Sequence, residues 1–267
     1  MKKYLSFFRI RFINGLQYRA AAYAGVATQF AWGTLELLAF AAFYRADPAA
    51  FPMEFSQLSS YIWLQQAFLA LFMTWFFDGS IMESITSGNV AYELARPMDL
   101  YNMWFVKNAA IRLSKAVLRC APVLVVAFFL PAPYGITLPP DFISFLAFCV
   151  TMAIGLFVVI AFGMLVYIAT FYTLNSLGVR VIAISLADIF TGALVPLPFL
   201  PDGVRAVFEL TPFAAMQNIP LRVYSGNISG EALLWSIALQ LFWAVVLILL
   251  GKLWMKQAVK KVIVQGG

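Results

Sequence analysis

Two acidic residues, Glu36 and Asp188, stand inside long apolar stretches. An ionisable side chain at membrane depth is costly, so each is a functional candidate by default. A carboxylate there could line a substrate route or sense a cationic ligand; a hydrogen-bonded acid packed between helices is the structural alternative. Gln65 and Gln66, adjacent in another apolar stretch, carry the same two readings. Histidine is absent, which removes paired-histidine zinc chemistry and any Ser-His or Cys-His nucleophile. No G-x-x-x-x-G-K-[ST] loop occurs, so the chain has no phosphate cradle of its own. Cys120 and Cys149 fall near opposite faces of the expected topology and read as small hydrophobes rather than a disulfide. No catalytic residue, metal ligand or bound cofactor is expected.

The elements that must hold these groups are membrane helices. Of the 267 residues, 63% are hydrophobic and 11% charged, and the mean hydropathy is +0.87. A soluble domain carries roughly 25% charged residues, so the bilayer is the solvent this composition fits. The net charge of +6 resides in short connectors between apolar runs rather than on one basic face, which excludes nucleic-acid binding. No secretory signal peptide is expected, because Arg9, Arg11 and Arg19 interrupt the segment after Lys2 and Lys3.

Six segments are long enough to cross, at about 20 residues each: 22–44, 59–77, 103–130, 142–172, 181–200 and 232–254. The third has a basic, partly wet first half, and the fourth exceeds the bilayer thickness and should tilt. With the N-terminus inside, only Arg45, Arg205 and Arg222 of the 18 basic residues fall outside. Both termini are therefore expected in the cytoplasm. Aromatic residues, Tyr44 and Trp254 among them, mark the span ends.

Residues 1–19 are too charged to span. Leu5, Phe8, Phe12 and Leu16 share a helical stripe, which predicts a helix lying in the inner interface. The outer segment 201–231 stays apolar. Pro196, Pro198 and Pro201 break the end of span five, Asp202 can cap a short helix, and Thr211 before Pro212 and Phe213 can start a second. Two short outer helices predict a re-entrant hairpin. Ala147, Thr151 and Gly155, four residues apart, predict a close-packing face for another helix.

The inner connector 78–101 is longer than a turn needs. Gly88 permits a sharp turn, a brief helix fits 90–95, and Pro97 ends it. Such a helix makes sense as a docking element for another protein. Here the sequence resembles the ABC type-2 permease family, whose small six-span members carry a pattern close to G-x-[VIL]-x-x-x-L-x-R-P-[LVM]-[DN]. Gly88, Val90, Leu94, Arg96, Pro97, Met98 and Asp99 match it in order, and Pro196 to Phe213 resembles the family's outer proline-rich region.

The resemblance implies a single all-α permease domain over 1–267 in the bacterial plasma membrane, paired with an identical or related second permease. Each permease would sit on a cytoplasmic ATPase subunit that holds ATP and Mg²⁺. Gly88, Asn89, Val90, Glu93, Leu94, Arg96 and Pro97 would form the coupling helix, with Glu93 and Arg96 making polar contacts to the ATPase. A hydrophobic or amphipathic substrate would leave along a dimer interface built from spans one, two and five, which hold Glu36, Gln65, Gln66 and Asp188. The alternatives are an ion-coupled carrier, for which no internal repeat is evident, a membrane-embedded enzyme, against which the missing nucleophile-base pair argues, and a non-transporting anchor or sensor.

Overall fold

A computed structural model of the chain describes residues 2–260; Met1 and residues 261–267, including the basic residue Lys261, lie outside the described part. The described chain is all-helical. In order it contains α1 (Lys2–Gly15), α2 (Arg19–Ala46), α3 (Phe55–Ala67), α4 (Leu69–Phe72), α5 (Gly79–Thr86), α6 (Val90–Leu94), α7 (Leu100–Phe129), α8 (Phe142–Thr173), α9 (Ser176–Phe190), α10 (Asp202–Glu209), α11 (Asn218–Tyr224) and α12 (Gly230–Val259).

Among the described residues, three helices are long and apolar enough to cross a membrane alone: 22–46 within α2, all of α8, and α12. The other three expected spans take less regular forms. The second is split: a capping box between Glu54 and Gln57 starts α3, and the helix breaks at Phe68 before the single turn of α4. The third, α7, is 30 residues long but carries Lys107, Arg112, Lys115 and Arg119 in its first two thirds. The fifth, α9, has 15 residues, about 22 Å of helix. It stops at Phe190 rather than continuing to residue 200, because Gly192 with φ +71 and the following prolines cannot extend it.

Helix α8 is the centre. It packs against α12, α11, α9 and α7, and its buried face anchors the larger hydrophobic cluster. A second cluster joins α2, α3 and α7, and along α2 the facing stripe is Ala22, Val26, Gln29, Gly33, Leu37 and Ala41. The opposite face of α2 exposes Tyr23, Trp32, Leu35, Leu38 and Phe43.

Helix α1 packs along α7 with Phe7, Phe8, Phe12 and Leu16 half-buried, while Leu5 is 71% exposed. The approach is close because Gly15 lacks a Cβ, which would meet Ser114 Oγ at 2.1 Å. Asp202 lies inside the first turn of α10 and pairs with Arg205 instead of capping, the cap position being Pro201. The second outer helix begins at Asn218, not at Pro212; residues 211–217 are turns, and the Thr211 hydroxyl donates backward to Phe208 O. The close-packing face of α8 meets irregular backbone there: a Cβ at Gly155 would lie 2.2 Å from Met216 O. Gln240 of α12, fully buried, donates to Thr151 O and Ala215 O and fixes that turn.

Candidate functional site

A cavity of about 690 Å³ opens between α2, the α3–α4 pair and α9. Glu36, Gln65, Gln66 and Asp188 all line it. They come from three elements because each projects toward the same gap: Glu36 sits beside the buried stripe of α2, the two glutamines end α3, and Asp188 is two residues from the end of α9. Most of the wall is apolar, from Trp32, Leu35, Phe40, Phe43, Leu69, Phe72 and Leu194. Two carboxyl groups and no Lys or Arg line it among the described residues.

The polar groups are incompletely partnered. Gln66 hydrogen-bonds Glu36, yet Glu36 Oε1 is buried without a partner. Gln65 donates from Nε2 to Ala193 O at 2.7 Å, tethering the chain after α9, and its Oε1 has no partner. Asp188 is hydrogen-bonded with Thr74. Thr191 and Gln217 also line the cavity, and Thr191 Oγ1 and Gln217 Nε2 are buried and unpartnered. A buried polar atom without a partner costs about 1–3 kcal/mol, and four residues around this cavity carry one. Sequence reading missed Thr74, Thr191 and Gln217. Their only signal was polarity beside apolar runs, and nothing in the chain order brings residues 74, 191 and 217 together.

Toward residues 196–201, Phe40 on the cavity wall packs at a tilt against Phe199, ring centres 5.0 Å apart, and Phe199 also meets Phe51 edge-on at 5.1 Å. Of the outer residues expected to matter, Pro196 and Pro198 are buried and Pro201 is exposed. Pro212 is partly buried, and Phe213 packs on Phe162 and Phe190.

The opposite end is clamped. Residues 73–78 descend from α4, with Thr74 and Trp75 still lining the cavity. Arg112, 3% exposed, reaches across from α7 and donates to Leu71 O and Met73 O at 2.9 Å each and to Phe76 O at 3.2 Å. No carboxylate is needed: the free carbonyls at a helix C-terminus carry partial negative charge. One turn earlier on α7, Lys107 pairs with Asp78 at 2.9 Å and donates to Ser80 Oγ. Asp78 caps α5 through Ser80 N, and its own N–H donates to Tyr167 of α8, whose hydroxyl donates to Asn108. Burial pushes the Asp78 carboxyl up, but Lys107 and Ser80 outweigh it and hold the group below its ordinary range.

Beyond the clamp lies the connector. Helix α5, which sequence reading left as loop, buries Ile81, Met82 and Ile85 and packs against α8. Gly88 adopts φ +77, a left-handed turn that glycine enters without strain, and α6 follows as expected. Val90 is buried; Asn89, Tyr92, Leu94, Arg96 and Pro97 are exposed. The Glu93 carboxylate accepts the indole N–H of Trp104 and ties α6 to α7, with the residue half-buried. Tyr92, next to it, is 77% exposed. Lys3 donates to Pro97 O, and Asp99 N donates to Tyr4, so α1 holds the exit of the segment.

A family model described as ABC-2 family transporter protein matches residues 30–266. No curated protein matches the chain.

Proposed function

The chain belongs to the ABC-2 transporter protein family, and from that premise we propose that this permease component of an ABC transporter is an exporter subunit for hydrophobic or amphipathic substrates. As a membrane subunit of that family it is not the ATPase, and the family implies ABC ATPase subunits as partners. ATP and Mg²⁺ would be bound there, and the chain would hold no cofactor. It would act in the bacterial plasma membrane with both termini in the cytoplasm.

Six crossings follow on this reading. Helices α2, α8 and α12 cross alone, α3 with α4 and α7 cross as broken or partly polar helices, and α9 crosses with help from the proline-rich chain after it. Irregular backbone at that depth is tolerated when packed on protein. Residues 211–225, mostly buried against α8 and α3, form with the exposed α10 the outer re-entrant segment. A second permease, identical or related, would cover the exposed apolar faces of α2 and α9 and close the cavity from the side.

The observation that carries this proposal is continuity between the cavity and the connector. Thr74 and Trp75 line the cavity, and residues 71–78 are gripped by Arg112 and Lys107. The same short stretch leads through α5 to Gly88 and the exposed Tyr92, Leu94 and Arg96. A push on α6 from a closing ATPase would be transmitted to the cavity floor without passing through a flexible loop. Outward release would then require Phe199 to leave Phe40.

The test is co-purification from detergent with an ATP-hydrolysing subunit, then ATP-dependent uptake of amphipathic cations into inside-out vesicles. Transport requiring ATP and that subunit supports the proposal. Transport by the purified chain alone, driven by an ion gradient, would favour a carrier, and association without transport would favour an anchor or sensor.

A further inference from the structure

The cavity between α2, the α3–α4 pair and α9 carries charge of one sign, with nothing of the chain's own set against it. Among the described residues its wall holds Glu36 and Asp188 and no Lys or Arg, and neither carboxyl takes part in an ion pair. Their hydrogen-bond partners are neutral: Gln66 for Glu36 and Thr74 for Asp188. Asp78, by contrast, is balanced by Lys107 at 2.9 Å. Glu36 also keeps Oε1 without a partner. Gln65, 4% exposed, adds a second acceptor to the same wall. Its Nε2 is committed to Ala193 O, so the atom left unmet is Oε1. The remaining wall is apolar and carries the rings of Trp32, Phe43, Phe72 and Trp75.

We propose that the ligand of this cavity is an amphipathic amine in its protonated form, its ammonium held by Glu36 and Asp188 and its apolar body by the aromatic wall. The inference rests on the reading of this cavity as the substrate site, and it names the substrate's class. An unpaired carboxylate in an apolar surround is costly, and a ligand cation supplies the missing charge. The aromatic faces add to the attraction. An ammonium also brings N–H donors to acceptors, which a quaternary nitrogen would leave unmet. At about 690 Å³ the cavity accepts one drug-sized molecule.

The experiment measures binding to the purified full chain in phosphatidylcholine nanodiscs, without ATP or an ATPase, by saturable energy transfer from tryptophan to pyrene. Four probes share one apolar body: pyrenebutylamine, its trimethylammonium derivative, pyrenebutanol and pyrenebutyrate. The amine should bind about tenfold tighter than the alcohol and about fivefold tighter than the trimethylammonium derivative. The carboxylate should bind more weakly than the alcohol. Glu36→Gln/Asp188→Asn should bind amine and alcohol alike, and Glu36→Gln alone should cut the preference about threefold. Retained circular dichroism and a monodisperse elution profile identify variants that fold. Equal binding of amine and alcohol by the wild type, tighter binding of the carboxylate, or a preference kept by either folded variant would overturn the assignment. Equal binding of the trimethylammonium derivative would overturn the amine in favour of any organic cation. ATP-dependent uptake of the same probes into inside-out vesicles holding the whole transporter separates this inference from the one beneath it. Uptake without preference for the amine overturns the substrate class alone. Amine-selective binding without ATP-dependent uptake overturns the transport reading alone.

Discussion

The cavity and the clamp beneath it use polar residues in opposite ways. In the clamp most polar atoms are met: Arg112 by three carbonyls with only its Nε left over, Lys107 by Asp78 and Ser80, and the Tyr167 hydroxyl by Asn108 and Asp78 N. Around the cavity, Glu36, Gln65, Thr191 and Gln217 each keep a buried atom without a partner. Both regions lie in an apolar surround where unmet groups are expensive. A mostly satisfied network holds shape, and the transport proposal puts its substrate where four residues around one void keep unmet atoms.

The comparison breaks first at Arg112. Replacing it with Ala strands carbonyls at the end of α4, and a loss of about 3 kcal/mol is expected. Thermal unfolding in detergent should show this as the largest drop of any variant here, with Arg112→Lys recovering only part, since an ammonium cannot span three acceptors in one plane. If Arg112→Ala unfolds like the wild type, the clamp is not structural.

At the cavity the expected pattern inverts. Glu36→Gln removes a buried carboxyl while keeping its shape, so stability should hold or rise slightly. Transport of an amphipathic cation should fall about tenfold, equivalent to about 1.4 kcal/mol. Vesicle uptake and thermal unfolding measured on the same preparation distinguish the two effects. A stability loss equal to that of Arg112→Ala would place Glu36 with the clamp.

At the exposed end, Tyr92→Ala should weaken association with the ATPase about fivefold, near 1 kcal/mol, without lowering the melting temperature. Glu93→Ala should instead lower that temperature, because it frees Trp104. Titrated binding in detergent separates them, and the opposite ranking would restore Glu93 as the contact.

The smallest effect concerns pH. The Asp78 carboxyl is held below its ordinary value, so its stabilising contribution is complete above about 4, the unfolded value. The contribution is lost as pH falls through the lower folded value. Melting temperature should therefore gain no slope from this group between pH 8 and about 5. Below that, the wild type should fall more steeply than Asp78→Asn.

Much of this was legible from residues. The all-α membrane character followed from composition, and Gly88 with the brief helix after it followed from turn chemistry. Glu36, Gln65, Gln66 and Asp188 were found as polar residues in apolar runs, although their meeting on one cavity is a tertiary fact. Helix α5 was missed because its short amphipathic pattern sits among glycines and serines that read as loop. Arg112 was counted only as an orienting charge, since nothing local shows that its partners are carbonyls some forty residues earlier in the chain. The hydrogen bond between Glu93 and Trp104 was likewise invisible, since eleven residues and a helix boundary separate the two in the chain.

The most direct test places a photo-crosslinking residue at Tyr92 in cells that produce the whole transporter. Docking of the 88–97 segment on a separate motor requires a covalent adduct with an ATP-binding subunit, weakened when the same probe is moved to Trp32. Absence of that adduct, or labelling of position 92 by a reagent confined to the outer face of the membrane, would contradict it.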